Sequence, residues 1–153
     1  MSRHQRTALL QSYTLTLVQG ARLWRQIADR ELSGFGVSEA GAYPLVFIAR
    51  LGDGLRQSVL AEAIGIEGPS LVRLLDGLCS AGLVERREDA TDKRAKTLHL
   101  TAKGATVSAK LTAALDAARH RVFTDASDAD IEAALRVLGV LAEALPSVEA
   151  PVT

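Results

Sequence analysis

Two short apolar-periodic segments that meet at Gly65, followed at once by two alternating segments, constrain this chain more than any other feature. Over Leu55 to Ile64, Leu55, Val59, Leu60 and Ala63 fall on one face of a short helix that Gly65 stops in a left-handed turn. Pro69, with Gly68 ahead of it, opens the next helix, in which Leu71, Leu74, Leu75 and Leu78 form one apolar face before Gly82 ends it. Leu83-Val84-Glu85-Arg86-Arg87 and Lys96-Thr97-Leu98-His99-Leu100 then alternate as strands do, joined by the polar run Asp89 to Arg94. Two helices about a glycine occur in many folds that never touch nucleic acid. A hairpin placed directly after the second helix is more selective, because it makes a winged helix-turn-helix.

The flanks predict long helices. Leu10, Tyr13, Leu17, Gly20, Trp24 and Ile27 recur at three and four residues between Thr7 and Leu32, and Gly34-Phe35-Gly36 closes that helix. Ser38 and Glu39 offer a cap and a first-turn acid to a second helix, with a kink or a late start expected at Pro44. After the hairpin, Thr101 caps a helix carrying Val107, Leu111, Leu115, Ala118 and Val122. Ser127 to Asp130 opens a last one, with Ile131, Leu135, Leu138, Leu141, Ala142 and Leu145 on one side and Pro146 as its stop. With 153 residues, 48% hydrophobic but only 4% aromatic, the chain suits one core of mostly α (α+β) class rather than a sandwich or barrel. The expected organisation is N-terminal helices over 1–50, the winged lobe over 51–103, C-terminal helices over 104–146 and a flexible tail over 147–153.

No run of about 18 apolar residues exists, and the start resembles no export signal, so neither a membrane span nor secretion is expected. Cys79, the single cysteine, cannot form an internal disulfide and points to a reducing cytoplasm; on a largely buried helix it reads as a small hydrophobe rather than a redox switch. His4, His99 and His120 lack metal-ligand spacing, and no phosphate loop, nucleophile elbow or Cys–His arrangement is present. The expectation is therefore no enzyme, no metal and no cofactor.

Eighteen basic against eighteen acidic residues exclude a generic polyanion binder. Residues 50–103 carry 9 basic and 8 acidic groups, so any nucleic-acid surface must be a local arrangement of arginines. With the leucine face of the second short helix buried, Ser70, Arg73 and Gly77 project from another face. Arg73 can donate two hydrogen bonds to a guanine, and Ser70 suits a phosphate or base contact. Arg86 and Arg87 read as strand-surface charges or partners of Glu85 and Glu88.

Glu67-Gly68-Pro69-Ser70-Leu71-Val72-Arg73, Gly82-Leu83-Val84-Glu85-Arg86, Asp92-Lys93-Arg94-Ala95-Lys96 and Leu100-Thr101 resemble the MarR family, most closely its SlyA-like branch. The resemblance spans nearly the whole chain. It implies a homodimer built from the first and last helices, a recognition helix in the major groove of an inverted-repeat DNA site, and a wing arginine in the minor groove. DNA contacts would then fall on Pro69, Ser70 and Arg73 and on Arg94 with Lys93, while Asp92 fixes the wing tip by pairing with an arginine. It further implies a transcriptional regulator, a repressor relieved by a small aromatic or anionic effector. A constitutive DNA-binding factor and a winged-helix protein-interaction module are the alternative readings. Arg22 and Arg25 resemble the arginines of an aromatic-carboxylate pocket, with Tyr43 or Phe47 packing on the ring. The chain departs from the pattern at Ala42, where the family's pocket has an aromatic residue, and at Gly77, which stands in for a larger polar residue and gives up about 1 kcal/mol of helix propensity.

Overall fold

The computed structural model describes residues 1–37 and 39–144. Within them the order is α1 (Arg3–Leu32), α2 (Glu39–Leu51), β1 (Leu55–Arg56), α3 (Gln57–Ile64), α4 (Gly68–Ser80), β2 (Val84–Glu88), β3 (Lys96–Leu100), α5 (Ala102–Val122) and α6 (Asp128–Ala144). The fold is mostly helical with one small antiparallel sheet, ordered β1-β3-β2. Ser38 as a cap, Leu145, Pro146 and the tail over 147–153 lie outside the described residues, as do the side chains of Glu39, read as a first-turn acid, and Ala142.

Contacts divide the chain into two units, 1–118 and 119–153. In the first, Leu32 of α1, Leu45 and Ile48 of α2, Leu60 of α3 and Leu71 and Leu75 of α4 meet Leu98 of β3 and Leu111 of α5 in one buried cluster. In the second, Ser127 caps α6: its hydroxyl accepts from the Asp130 amide at 3.2 Å and donates to the Asp130 carboxylate at 2.6 Å. This is the capping arrangement read from Ser127 to Asp130, with the acid turned onto the serine.

α1 begins four residues before the expected Thr7, because Ser2 and Gln5 form a capping box. Of its apolar seam, Leu10 is exposed, and the fully buried residues of this helix are Ala28 and Leu32. α2 starts at Glu39 and continues through Pro44, so the late start does not occur. Pro44 is itself fully buried, which lets packing offset the hydrogen bond its ring removes.

The first helix of the helix-turn-helix starts at Gln57, not Leu55, because Leu55 and Arg56 pair with Leu98 and Thr97 of β3. Shifting the start by two residues turns the helix: Leu60 is buried and Ala61 and Ile64 pack on the core, while Val59 and Ala63 face outward. Gly65 closes it at φ +72°, the left-handed stop expected there.

The hairpin pairs Val84 with Leu100 through Glu88 with Lys96, one residue later in its first strand than the alternation suggested. Thr101 then joins wing and helix. Its hydroxyl accepts from the Gly104 amide at 2.9 Å as a cap and donates to the Gly82 carbonyl at 2.7 Å. Gly104 is buried against the Leu83 backbone so closely that a Cβ would collide with the Leu83 carbonyl oxygen.

Candidate nucleic-acid interface

α4 shows its leucines inward, with Leu71, Leu75 and Leu78 buried and Leu74 half-buried. This leaves Pro69, Ser70 and Arg73 exposed along the first two turns. Glu67 precedes the helix without a side-chain cap bond; its carbonyl accepts from the Ser70 and Leu71 amides at 3.1 Å and Pro69 carries no N–H, so of the first turn the Gly68 amide keeps donor capacity. Gly77 lies on the exposed side of α4 and borders a cleft of about 190 Å³ with Val37, Gly41, Leu74 and the Arg73 side chain.

The wing is fastened to this helix by Arg86 on β2. Its guanidinium donates one hydrogen bond to the Asp76 carboxylate and another, at 3.1 Å, to the Val72 carbonyl. Arg86 thus pairs with α4 and not with Glu85 or Glu88, the partners suggested by sequence. Arg87 does pair with Glu85, at 3.1 Å, and Glu88 is taken by Lys96 at 3.3 Å.

At the wing tip Lys93 and Arg94 are exposed. Asp92 holds the tip by accepting from the Arg94 backbone amide at 2.9 Å. The arginine pair expected of it is made by another acid: Asp89 bonds Arg56 at 2.7 Å. Two further bonds from Thr91 reach the Asp89 carboxylate, at 2.8 Å from its amide and 2.6 Å from its hydroxyl. These donors, Arg56 foremost, hold the Asp89 carboxyl well below the ordinary carboxylate range. Further along β3, His99 Nδ1 meets the Asp53 carboxylate at 2.8 Å and lowers its pKa.

The pairing pattern decides the local electrostatics. Arg56, Arg86, Arg87 and Lys96 are committed to acids of the same lobe. Among the described residues Arg73, Lys93 and Arg94 have no such partner, and they stand at the start of α4 and at the wing tip. These are the three cations that sequence reasoning selected. It missed Arg56 and Asp89, although an arginine directly ahead of α3, where Ser, Thr, Asp or Asn would cap, is a signal that the side chain is engaged elsewhere.

The second group of expected site residues is less concentrated. Arg22 and Arg25 are exposed on α1, Tyr43 and Phe47 are half-buried on α2, and Ala42 is buried. Burial first, then the field of Asp29, raises the Tyr43 hydroxyl pKa, and Arg25 opposes the shift. Arg25 and Tyr43 are therefore electrostatic neighbours, and the Tyr43 hydroxyl is buried without a hydrogen-bond partner among the described residues. Cys79 is half-buried and its thiol pKa is raised by that burial. No cluster of metal-ligating side chains occurs among the described residues, and no described helix is long and apolar enough to cross a membrane.

A sequence model of the MarR family matches residues 36–95, from the end of the α1–α2 loop to the wing tip. Among solved structures, the transcriptional regulator PA3341 is 39% identical, with 86% of this chain and 96% of that one aligned at a TM-score of 0.79. The S. aureus MepR–DNA complex is 26% identical over 88% of this chain and 97% of that one, at a TM-score of 0.71. The transcriptional regulator SlyA shares the fold at 21% identity and a TM-score of 0.74, covering 86% of this chain and 92% of that one.

Proposed function

We propose that this chain, which belongs to the MarR family of DNA-binding transcriptional regulators, acts as a homodimeric repressor on an inverted-repeat site. Ser70 and Arg73 meet base edges and phosphates in the major groove, with Pro69 at the helix start, and Lys93 and Arg94 reach the adjacent minor groove. The observation that carries this reading is the distribution of partners. Every other charged side chain of the hairpin is bonded within the lobe, and the cations left over lie where a winged helix meets a duplex. The wing sequence Asp92-Lys93-Arg94 followed by Leu100-Thr101 supports placing the chain in the SlyA-like branch.

Exposed apolar side chains support dimerisation. α1 presents Leu15, Val18 and Leu23 at 66%, 67% and 58% exposure, and α6 presents Leu135, Val140 and Leu141. A second copy covering these stripes accounts for surface of a size that folded monomers rarely leave open. Selecting bound duplexes from random sequence tests the reading: a palindrome with half-sites about 34 Å apart is expected, and enrichment of no sequence, or of a single unrepeated half-site by a monomer in sedimentation, refutes it.

The effector reading rests on the Tyr43 hydroxyl, buried without a partner among the described residues and within the field of Arg25. A small aromatic carboxylate held by Arg25 or Arg22, with its ring against Tyr43 or Phe47, would satisfy that hydroxyl and shift the lobe spacing away from the one DNA requires. Calorimetry with salicylate-like acids on wild type, Arg22→Ala and Arg25→Ala tests it. Linkage demands that DNA weaken acid binding by the factor by which acid weakens DNA binding. Failure of that equality, or of saturable binding, favours a regulator without an effector.

A further inference from the structure

We propose that Arg56 is a positioning residue for the wing, locking the DNA-contacting tip to the helix-turn-helix through Asp89. The inference rests on the wing contact described above and names the device that sets it. Arg56 occupies the cap position of α3 yet makes no side-chain cap bond, so α3 forgoes the stabilisation that a serine or aspartate would give there. The side chain instead crosses to the wing. Its Nε donates to Asp89 Oδ2 at 2.7 Å and its Nη2 to Thr91 Oγ1 at 3.1 Å, two directional bonds from one planar fork.

Asp89 is the knot of the tip. Its Oδ1 accepts from the Thr91 amide, from the Thr91 hydroxyl and, at 3.2 Å, from the Asp92 amide, and its side chain is only 11% exposed. From there the order passes along the chain. Asp92 accepts from the Arg94 amide through Oδ1 at 2.9 Å and from the Ala95 amide through its carbonyl, also at 2.9 Å. A continuous set of hydrogen bonds therefore runs from the start of α3 to the backbone of Arg94. Among the described residues, the polar contacts of the 89–95 tip other than those from Arg56 stay within the hairpin. Without this tie the tip would hang from the ends of β2 and β3, and Arg94 would have to be ordered at the moment of binding.

The competing role for an arginine half exposed beside a DNA-binding surface is a direct phosphate contact, and the two roles predict opposite signs. Removing the Asp89 charge frees a phosphate-binding arginine and lessens repulsion from DNA, whereas it slackens a clamp. The experiment is a set of binding titrations at several salt concentrations on the selected duplex with Arg56→Met, Asp89→Asn, Arg94→Ala and the double variant Arg56→Met/Arg94→Ala. Expected are weaker binding by Asp89→Asn in spite of its lost negative charge, and a shallower salt slope for Arg56→Met by about two units, one for each lobe of the dimer, like that of Arg94→Ala. The double variant should bind within about twofold of Arg94→Ala, because the clamp acts only through the tip. Tighter binding by Asp89→Asn, or penalties of Arg56→Met and Arg94→Ala that multiply, overturns the clamp while leaving the wing contact standing. An Arg94→Ala protein that binds as wild type overturns both.

Discussion

Arg73→Ala isolates direct readout, because the folded protein asks nothing of this side chain. Arg73 is exposed, has no hydrogen-bond or ion-pair partner among the described residues, and borders an open cleft rather than the core. Truncation should therefore leave the unfolding free energy within about 0.5 kcal/mol of wild type, the range of a surface substitution away from special features. On DNA the loss is larger. A bidentate arginine–guanine contact contributes about 1–3 kcal/mol of discrimination, so each half-site should lose roughly 5- to 150-fold, and a two-fold complex should lose it twice over. The assay is fluorescence anisotropy on the selected duplex and on duplexes mismatched at one base pair per half-site, at three salt concentrations. Arg73→Ala should bind matched and mismatched sites almost alike at the position it reads, with the salt slope nearly unchanged. If it instead weakens all duplexes by one factor and flattens the slope, Arg73 holds a phosphate, and the base-reading assignment is wrong.

Two glycines should respond to alanine in opposite directions. Gly77→Ala adds a methyl to open space on α4 and should raise stability by up to about 1 kcal/mol, whereas Gly104→Ala drives a methyl into the Leu83 carbonyl and should cost about 1–3 kcal/mol; thermal unfolding of both compares them. Leu17→Asp or Leu138→Asp should abolish dimer and DNA binding together, and a soluble monomeric variant with full affinity in sedimentation would contradict the dimer. Burial raises the Cys79 pKa and so reduces the thiolate near neutral pH, so alkylation should be slower than for a free thiol, and Cys79→Ser should bind DNA like wild type with or without peroxide.

The parts of the fold that sequence revealed are those with a period or a punctuating residue. The leucine face of α4, the αL stop at Gly65 and the alternation of β2 and β3 each repeat a local rule, and the structure follows them. β1 has two residues, too few for any alternation to show, and it exists because β3 offers an edge. Reading those residues as helix rotated the expected inward face and put Val59 and Ala63 inside. Long-range partners were equally invisible. Arg56 lies 33 residues from Asp89 and Arg86 lies 10 from Asp76, distances at which charge patterning along the chain says nothing. Gly104 did leave a trace, since a glycine inside a helix forgoes about 1 kcal/mol against alanine and that loss asks for a compensating close approach.

Zero net charge and DNA binding are compatible here because half of the acids and half of the lysines and arginines of the winged lobe, four of eight each, pair with one another. Asp76, Glu85, Glu88 and Asp89 each hold a cation in place, which shapes the hairpin and removes most of its bulk attraction for phosphate. Of the four cations that remain on each lobe, Lys103 donates to the Ala81 carbonyl, and Arg73, Lys93 and Arg94 stand on α4 and at the wing tip. If Arg73 reads bases, the wing cations of two lobes supply about four phosphate contacts, and log K against log salt should fall with a slope near −4, or about −5 if Arg73 also holds phosphate. A generic polyanion binder of this size would be far steeper and would bind random duplex nearly as well as its site. Titration between about 50 and 200 mM salt distinguishes them: a slope steeper than about −8, with little preference for the selected duplex, would mean that cations assigned to ion pairs are released to DNA and that the lobe is not prearranged.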